Sequence, residues 1–123
     1  MKQRVKNAQM MIMLSQLRPL LTRRDKFGYM AARNYRILSE SLTEYDLFRR
    51  DLINKHGEDD KDEYGRSVKI IKMDSPGFKA FCDELAPFNE MEHEVDLMTA
   101  KYDETVGCLS GEEILSIDWM LEN

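Results

Sequence analysis

Residues 22–57 read TRRDKFGYMAARNYRILSESLTEYDLFRRDLINKHG, and this stretch decides most of the predicted fold. Thr22 and Asp25 have the spacing of a capping box that opens a helix, and Gly57 lies where a left-handed glycine would end one. The apolar residues that share one stripe between these limits are Phe27, Ala31, Leu38, Tyr45 and Leu52. This spacing predicts a single helix of roughly 30 residues, about 45 Å long at about 1.5 Å per residue.

A helix of this length carries more apolar surface than the C-terminal half of the chain can cover. The preceding stretch NAQMMIMLSQLRPLL, residues 7–21, is also amphipathic. Asn7 caps its start, and Pro19 ends it near Leu17 because proline lacks an amide donor. We expect this first helix to fold back along the long one, or a second copy of the chain to cover the remainder. Gly28 is a predicted weak point of the long helix, costing about 1 kcal/mol relative to alanine.

The C-terminal half has a mixed pattern. YGRSVKIIKM, residues 64–73, is rich in β-branched residues, and MEHEVDLM, residues 91–98, alternates between apolar and acidic residues. Both segments therefore predict strands, which we expect to pair into a small sheet. The segment between them, SPGFKAFCDELAPF, predicts a short helix on this sheet, capped by Ser75, opened by Pro76 and ended by Pro87.

The tail SGEEILSIDWMLEN predicts a closing helix, because Ser110 and Glu113 have capping-box spacing. The predicted fold class is α+β, mainly α. It comprises an N-terminal helical hairpin with one long helix, a small antiparallel β element and a closing C-terminal helix. A chain of 123 residues supports one modest core, so we predict a single domain over residues 1–123. Its parts are a basic helical hairpin, residues 1–56, and an acidic α+β half, residues 57–123.

The charge of the chain is divided between these halves. The first carries 12 Lys and Arg against 5 Asp and Glu, and the second carries 6 against 18, so a net charge of -5 hides balances of +7 and -12. Two interpretations stay open. The halves fold against one another and partly cancel, or one offers a basic face to a polyanion and the other an acidic face to a basic protein.

Composition excludes an integral membrane protein. The chain is 33% charged, and no apolar run approaches the roughly 20 residues that span a bilayer. The lysine-rich start lacks the apolar stretch and cleavage site of a signal peptide, and Cys82 and Cys108 show no disulfide or zinc spacing. The predicted location is the cytoplasm.

Motifs for metal binding and catalysis are incomplete. Asp60 and Asp62 resemble the front of a calcium loop, but Tyr64 and Ile71 occupy two of the required ligand positions. No nucleophile motif or glycine-rich phosphate loop is present. The alternating acids at residues 92–96 are typical of a solvated strand face, although a metal nuclease would use such carboxylates. We predict no enzyme activity, no cofactor and no metal site.

A candidate basic face lies at the start of the long helix. Cationic side chains release counterions when they bind phosphates, and the interleaved Tyr29 and Tyr35 would stack on exposed bases. The residues of this face are Arg23, Arg24, Lys26, Tyr29, Arg33 and Arg36. The alternative is a long helix with ordinary charged flanks, which an acidic chain of pI about 5.1 favours.

The stretch from Lys26 to Arg66 resembles a family of small, functionally uncharacterised proteins of bacteriophages and prophages. The shared features are the Tyr-x-x-x-Arg-Asn stretch of residues 29–34, the long charged helix, the Lys-His-Gly-Glu helix end of residues 55–58 and the acidic glycine turn that follows. The resemblance implies a phage or prophage origin and a mostly helical fold with a small β element. It implies no catalytic residues.

These features lead to one hypothesis and one alternative. The hypothesis is a non-enzymatic phage or prophage accessory or morphogenesis protein in the bacterial host cell. It would act through contacts with a phage or host protein, self-associate through the long helix, and associate with the virion if it serves assembly. The alternative is a phage-encoded regulator or inhibitor that binds nucleic acid, or mimics it to block a host DNA-binding enzyme.

Overall fold

The computed structural model describes all residues from Met1 to Asn123 and confirms the mainly-α α+β fold class. The α-helices are α1 Asn7–Leu17, α2 Lys26–Ser41, α3 Thr43–His56, α4 Phe78–Asn89 and α5 Gly111–Ser116. The strands are β1 Lys2–Lys6, β2 Glu58–Lys61, β3 Ser67–Ile70, β4 Glu92–Asp96, β5 Ala100–Lys101 and β6 Leu121–Glu122. Short 3₁₀ helices occupy Arg18–Thr22, Tyr102–Thr105 and Asp118–Met120. None of the helices combines the length and apolar character that crossing a membrane requires.

The chain forms two compact units whose limits differ from the predicted halves. The first unit joins Met1–Leu42 to Glu92–Asn123, and the second is Thr43–Met91. β1 pairs antiparallel with β4, which brings the two ends of the chain into the same unit. The change of charge near residue 57 is therefore not a boundary between the units. The single domain stays a prediction.

The first unit is built around α1, α2 and the β1–β4 ribbon. Pro19 lies in the 3₁₀ helix that follows α1, so the predicted end of this helix at Leu17 is confirmed. One face of the ribbon buries Val5 and Val95. The largest fully buried side chains of this unit are Met10, Leu17, Leu20, Phe27, Asn34, Leu38, Leu42, Leu97, Ile117 and Met120.

The predicted long helix is two helices, because α2 ends at Ser41 and α3 begins at Thr43. The Leu42 amide between them donates to the carbonyls of both Leu38, at 3.1 Å, and Ser39, at 3.2 Å. Shared bonds of this kind are typical of helix ends. The prediction missed the break because the seven-residue apolar spacing continues across it.

The stripe residues Ala31, Leu38, Tyr45 and Leu52 are all buried in the single chain. This stripe, which suggested a second copy along the long helix, therefore needs no partner to cover it. A homo-oligomer stays a prediction, and its contact must lie on another surface.

The start of α2 also differs from the prediction. Asp25, and not Thr22, is the N-cap, because its Oδ1 accepts the backbone N–H of Phe27 at 3.1 Å and of Gly28 at 3.2 Å. The Thr22 hydroxyl lies 3.5 Å from the Pro19 carbonyl oxygen instead. The 3₁₀ helix occupies Thr22, so the capping position moves to Asp25, the next residue whose side chain can accept backbone N–H groups.

In the second unit, α3 packs on α4. The rings of Phe48 and Phe88 have centroids 4.0 Å apart, and the Tyr45 hydroxyl donates to Asn89 Oδ1. Burial raises the pKa of the Tyr45 phenol above its ordinary value. Gly57 follows the last residue of α3 as predicted. Its φ is not positive, however, because only Gly65 and Gly107 have left-handed backbone in this chain.

Close approach of β3 explains the glycine at residue 57. A Cβ there would overlap the Ile53 carbonyl oxygen of α3 and would lie 2.6 Å from the Ile70 carbonyl oxygen, which is inside contact distance. Only a residue without a side chain lets β3 pass so near the end of α3.

The predicted pairing of the two C-terminal strands is wrong. The strand after the acidic turn, β3, pairs with β2, whereas β4 pairs with β1. β2 is the acidic run Glu58–Lys61, all four residues of which are exposed, so it has no alternating pattern to mark it as a strand. Ion pairs hold it to the β3 segment, between Lys69 and Asp59 at 2.8 Å and between Lys72 and Asp60 at 3.8 Å.

The limits of α4 and of the closing helix are shifted. Gly77 precedes the first residue of α4, and the Ser75 hydroxyl donates to the Lys72 carbonyl instead of capping the helix. Pro87 does not end α4 but lies inside its last turn. Only two residues of the helix follow it, so the loss of its N–H disrupts little of the helix. The capping box of Ser110 and Glu113 is confirmed.

The closing helix is shorter than predicted. α5 ends at Ser116, and the tail continues as the 3₁₀ helix Asp118–Met120 and strand β6, which pairs parallel with β5. In this tail, backbone hydrogen bonds to β5 replace the hydrogen bonds of a longer helix. The apolar spacing of the tail does not indicate this pairing, because β5 lies about 20 residues earlier in the chain.

Candidate interaction surfaces

The predicted basic face is partly assembled on α2. Lys26, Tyr29, Arg33 and Arg36 follow one another at intervals of three or four residues, and all four are exposed. The Tyr29 ring is 59% exposed and free to meet another molecule. Helical spacing alone therefore locates these four residues on one face.

Two cations of this face already have carboxylate partners. Lys26 Nζ lies 2.6 Å from Glu104 Oε1, and Arg36 Nε lies 3.1 Å from Glu40 Oε1. The hydrogen bond from Lys26 lowers the pKa of Glu104 below its ordinary value. Arg24 and Arg33 have no ion pair within 4 Å in this structure, so the positive charge of the face is concentrated on these two residues.

Arg23 has a structural position at the edge of this face. Its guanidinium donates to both carboxylate oxygens of Asp25, to Glu113 and to the Cys108 carbonyl. The hydrogen bonds from Arg23 to Asp25 lower the pKa of the Asp25 carboxyl below its ordinary value. The pKa of Glu113 is lowered first by the backbone N–H of Ser110, and also by the charge of Arg23. With its donors engaged, Arg23 ties the start of α2 to the start of α5, while its exposed neighbour Arg24 extends into solvent.

Arg33 separates two shallow depressions of the first unit. One, of about 270 Å³, is lined by Arg33, Arg36, Ile37 and Glu40. The other, of about 260 Å³, is lined by Met1, Arg33, Ile37, Asp96, Leu97, Met98 and Thr99. A flexible cation between two depressions is able to contact an anionic group in either.

A second surface, which the sequence analysis missed, is the free edge of β1. The Leu97 amide donates to the Met1 carbonyl at 3.0 Å, so these opposed residues form a hydrogen-bonded pair of the ladder. Hydrogen-bonded and non-bonded pairs alternate along an antiparallel ribbon. The backbone groups of Gln3 and Val5 therefore face β4, and those of Lys2 and Arg4 face away from it. The ribbon has two strands only, so this edge has no strand beside it.

A depression of about 330 Å³ lies along this edge, and we call it the β1 groove. Its lining residues are Gln3, Arg4, Val5, Gln9, Ile12, Met13 and Trp119. Arg4 points to one face of the ribbon and Gln3 and Val5 to the other, so a depression that all three line must run beside the strand. Ile12 is 59% exposed here, and Trp119 is held by a 2.9 Å hydrogen bond from its Nε1 to Gln16. The weak signal in the sequence was the alternation of KQRVK, with one apolar residue.

The acidic residues once considered for metal binding serve other contacts. Glu92 lies 3.1 Å from Arg4, and Glu94 lies 3.8 Å from Lys2 across the ribbon. The Asp62 carboxylate accepts the backbone N–H of Arg66, at 2.9 Å, within the β2–β3 turn. No group of three or more His, Cys, Asp or Glu side chains is placed to hold a metal ion.

The first unit thus carries two candidate surfaces, the basic face of α2 and the β1 groove. No protein-family model, no curated protein and no solved structure matches this chain.

Proposed function

We propose that this chain is a non-enzymatic accessory or morphogenesis protein of a phage or prophage, acting in the bacterial cytoplasm or in the virion through protein contacts. It binds a phage or host protein and self-associates. The observation that carries the protein-contact role is the unpaired edge of β1 beside the exposed side chain of Ile12. The phage origin rests on the sequence resemblance.

Two physical properties make this edge suitable for contact with another protein. An unpaired strand presents a row of backbone donors and acceptors that another chain can satisfy. Its groove adds apolar surface from Ile12 and Met13, whose removal from water favours association. The combination of strand edge and neighbouring pocket is the arrangement by which sheets bind extended segments.

Photo-crosslinking from position 12 tests the protein-contact role. A photoreactive amino acid replaces Ile12 in the chain expressed in host cells. We expect it to form covalent adducts with a phage protein, a host protein or a second copy of the chain. The matched control carries the same residue at Leu47, which is 55% exposed on the other unit. Adducts no more abundant from position 12 than from position 47 would contradict the proposal. A strictly monomeric mass of 14.5 kDa in light scattering at micromolar concentration would remove self-association from it.

A second candidate function is the nucleic-acid-binding regulator, favoured by the shared exposed face of Tyr29, Arg33 and Arg36. We expect Arg33→Ala to weaken binding to single-stranded DNA or RNA several-fold and to reduce the salt slope by about 0.7, the value for one lost phosphate contact. Titrations in low and high salt measure this. Arg50→Ala, on the exposed side of α3, is the control. The absence of binding in low salt would exclude direct binding and leave only mimicry by the acidic residues.

A further inference from the structure

We propose that the β1 groove binds an extended segment of a partner protein that has acidic side chains at alternate positions and apolar side chains between them. The segment joins the β1–β4 ribbon as a third strand. This inference rests on the proposed protein-contact function and adds the chemistry of the partner to it.

The backbone of β1 sets the length of the bound segment. Lys2 and Arg4 each direct one N–H and one C=O toward the free edge, which is sufficient for four hydrogen bonds. At Lys6 the outward N–H is already occupied, since it donates to Gln9 Oε1 at 3.1 Å. Gln9 therefore closes the groove at this end, and the bound strand pairs with roughly four to five residues of β1.

The charges of β1 select acidic side chains on one face of the new strand. Lys2, Arg4 and Lys6 alternate along the strand and project to the same face of the ribbon. On the other side of β1, the strand β4 presents Glu92, Glu94 and Asp96 to these cations. The protein itself thus shows which chemistry fits beside β1, since cross-strand pairs of opposite charge stabilise a sheet. Lys2 retains room for a second anion, because its contact with Glu94 is long, at 3.8 Å, and its side chain is 74% exposed.

The groove selects apolar side chains on the opposite face. A residue of the added strand that alternates with the acidic ones points toward Ile12, Met13 and Trp119. Exposed Ile12 loses water when this residue binds, and the Trp119 ring is fixed by its bond to Gln16. A strand with uninterrupted charge would place an unpaired carboxylate against this apolar surface, which is unfavourable.

The same charges disfavour β1 of a second copy as the occupant. An antiparallel β1–β1 contact would oppose the cationic side chains of two identical strands, and like charges directly opposite destabilise a sheet. The preferred occupant is therefore an acidic strand of a different segment.

Fluorescence of Trp119 gives a direct measurement, because it is the only tryptophan of the chain and lines the groove. The full-length protein is titrated with three synthetic peptides. In the first, Glu and Val alternate; in the second, Lys and Val alternate; in the third, the Glu and Val residues form separate blocks. We expect saturable binding of the first, weaker in high salt, and at least tenfold weaker binding of the other two. Equal binding of all three would overturn the proposed chemistry.

A proline at position 4 tests the strand geometry. Arg4→Pro removes the outward N–H and leaves the bonds of Gln3 and Val5 to β4 in place, which is the arrangement that edge strands tolerate. Arg4→Thr is the matched control, because it loses the same charge but keeps the N–H. We expect the proline variant to bind the Glu/Val peptide at least tenfold more weakly than the wild type and clearly more weakly than the threonine variant. Equal affinity of the two variants, with circular dichroism showing both to be folded, would overturn strand addition.

The remaining outcomes separate this inference from the proposed function. If no peptide binds but position 12 still gives specific adducts, the partner chemistry is wrong and the protein-contact function stands. A concentration-dependent change of Trp119 emission without peptide, abolished by Arg4→Pro, would identify a second copy as the occupant and overturn the separate partner segment. Peptide binding together with no specific adducts would support the groove chemistry and contradict the cellular role.

Discussion

Replacing Asn34 by alanine is expected to lower the free energy of unfolding by about 2 kcal/mol, because two partly buried backbone groups lose their partners at about 1 kcal/mol each. Asn34 is fully buried on α2. Its Nδ2 donates to the Met98 carbonyl at 3.0 Å, and its Oδ1 accepts the Met98 N–H at 2.8 Å. The Asn34 side chain thus makes the two backbone hydrogen bonds that a neighbouring strand would otherwise make to Met98. Without it, both Met98 groups lose their bonds in a partly buried region where water replaces them only incompletely.

Urea unfolding followed by circular dichroism measures this loss. Asn54→Ala, at an exposed position of α3, is the control and should change stability little. Asn34→Leu separates bonding from packing, because leucine fills a similar volume but cannot bond to Met98. A leucine variant as stable as the wild type would show that packing, and not hydrogen bonding, is the role of this residue.

Gly28→Ala is expected to destabilise the first unit by about 2 kcal/mol, the cost of forcing an extra carbon into a packed site, although alanine is the better helix former. An added Cβ would overlap the Arg23 carbonyl oxygen and lie 2.8 Å from its carbonyl carbon. The Arg23 backbone has little freedom to retreat, because the guanidinium of the same residue is bound to Asp25 and Glu113. The predicted weak point of the helix is therefore a required close contact.

Gly111→Ala is the matched control for this substitution. Gly111 is the first residue of α5, its φ is not positive, and no atom lies within 4 Å of an added Cβ. Here alanine should be neutral or stabilising by about 0.4–1 kcal/mol, because it restricts the unfolded chain. Thermal unfolding measures the melting temperatures of both variants, and we expect Gly28→Ala to melt at the lower temperature. If Gly28→Ala melts at or above the temperature of Gly111→Ala, the Arg23 contact does not constrain the helix.

Features that depend on neighbouring residues were predictable. Pro19 ends α1 at Leu17, and Ser110 and Glu113 cap α5, because these effects act over three or four residues. The alternation of β4 correctly places Val95 on the buried face and its acids outside. Helical spacing likewise assigned Tyr29 and Arg33 to one face of α2.

Features that depend on distant residues were not predictable. Arg4 and Glu92 are bonded across 88 positions of the chain, and no local pattern indicates that β4 chooses β1 over β3. The same holds for the candidate surfaces. Glu104 neutralises Lys26 from another part of the chain, and the β1 groove needs Trp119 beside residues near the other end.

By itself, the sequence determined the fold class, the end of α1, the start of α5 and the exposed basic face of α2, because helical periodicity, capping and proline act within a few residues of one another. The break at Leu42 and the contact of Gly28 with Arg23 involve residues only three to five positions apart, yet apolar periodicity does not show them. Tertiary structure alone decided which strands pair and that β1 keeps an open edge. These depend on which backbone groups and side chains meet across long separations. Such contacts are set by the packing of the whole chain and leave little trace in any local stretch of residues.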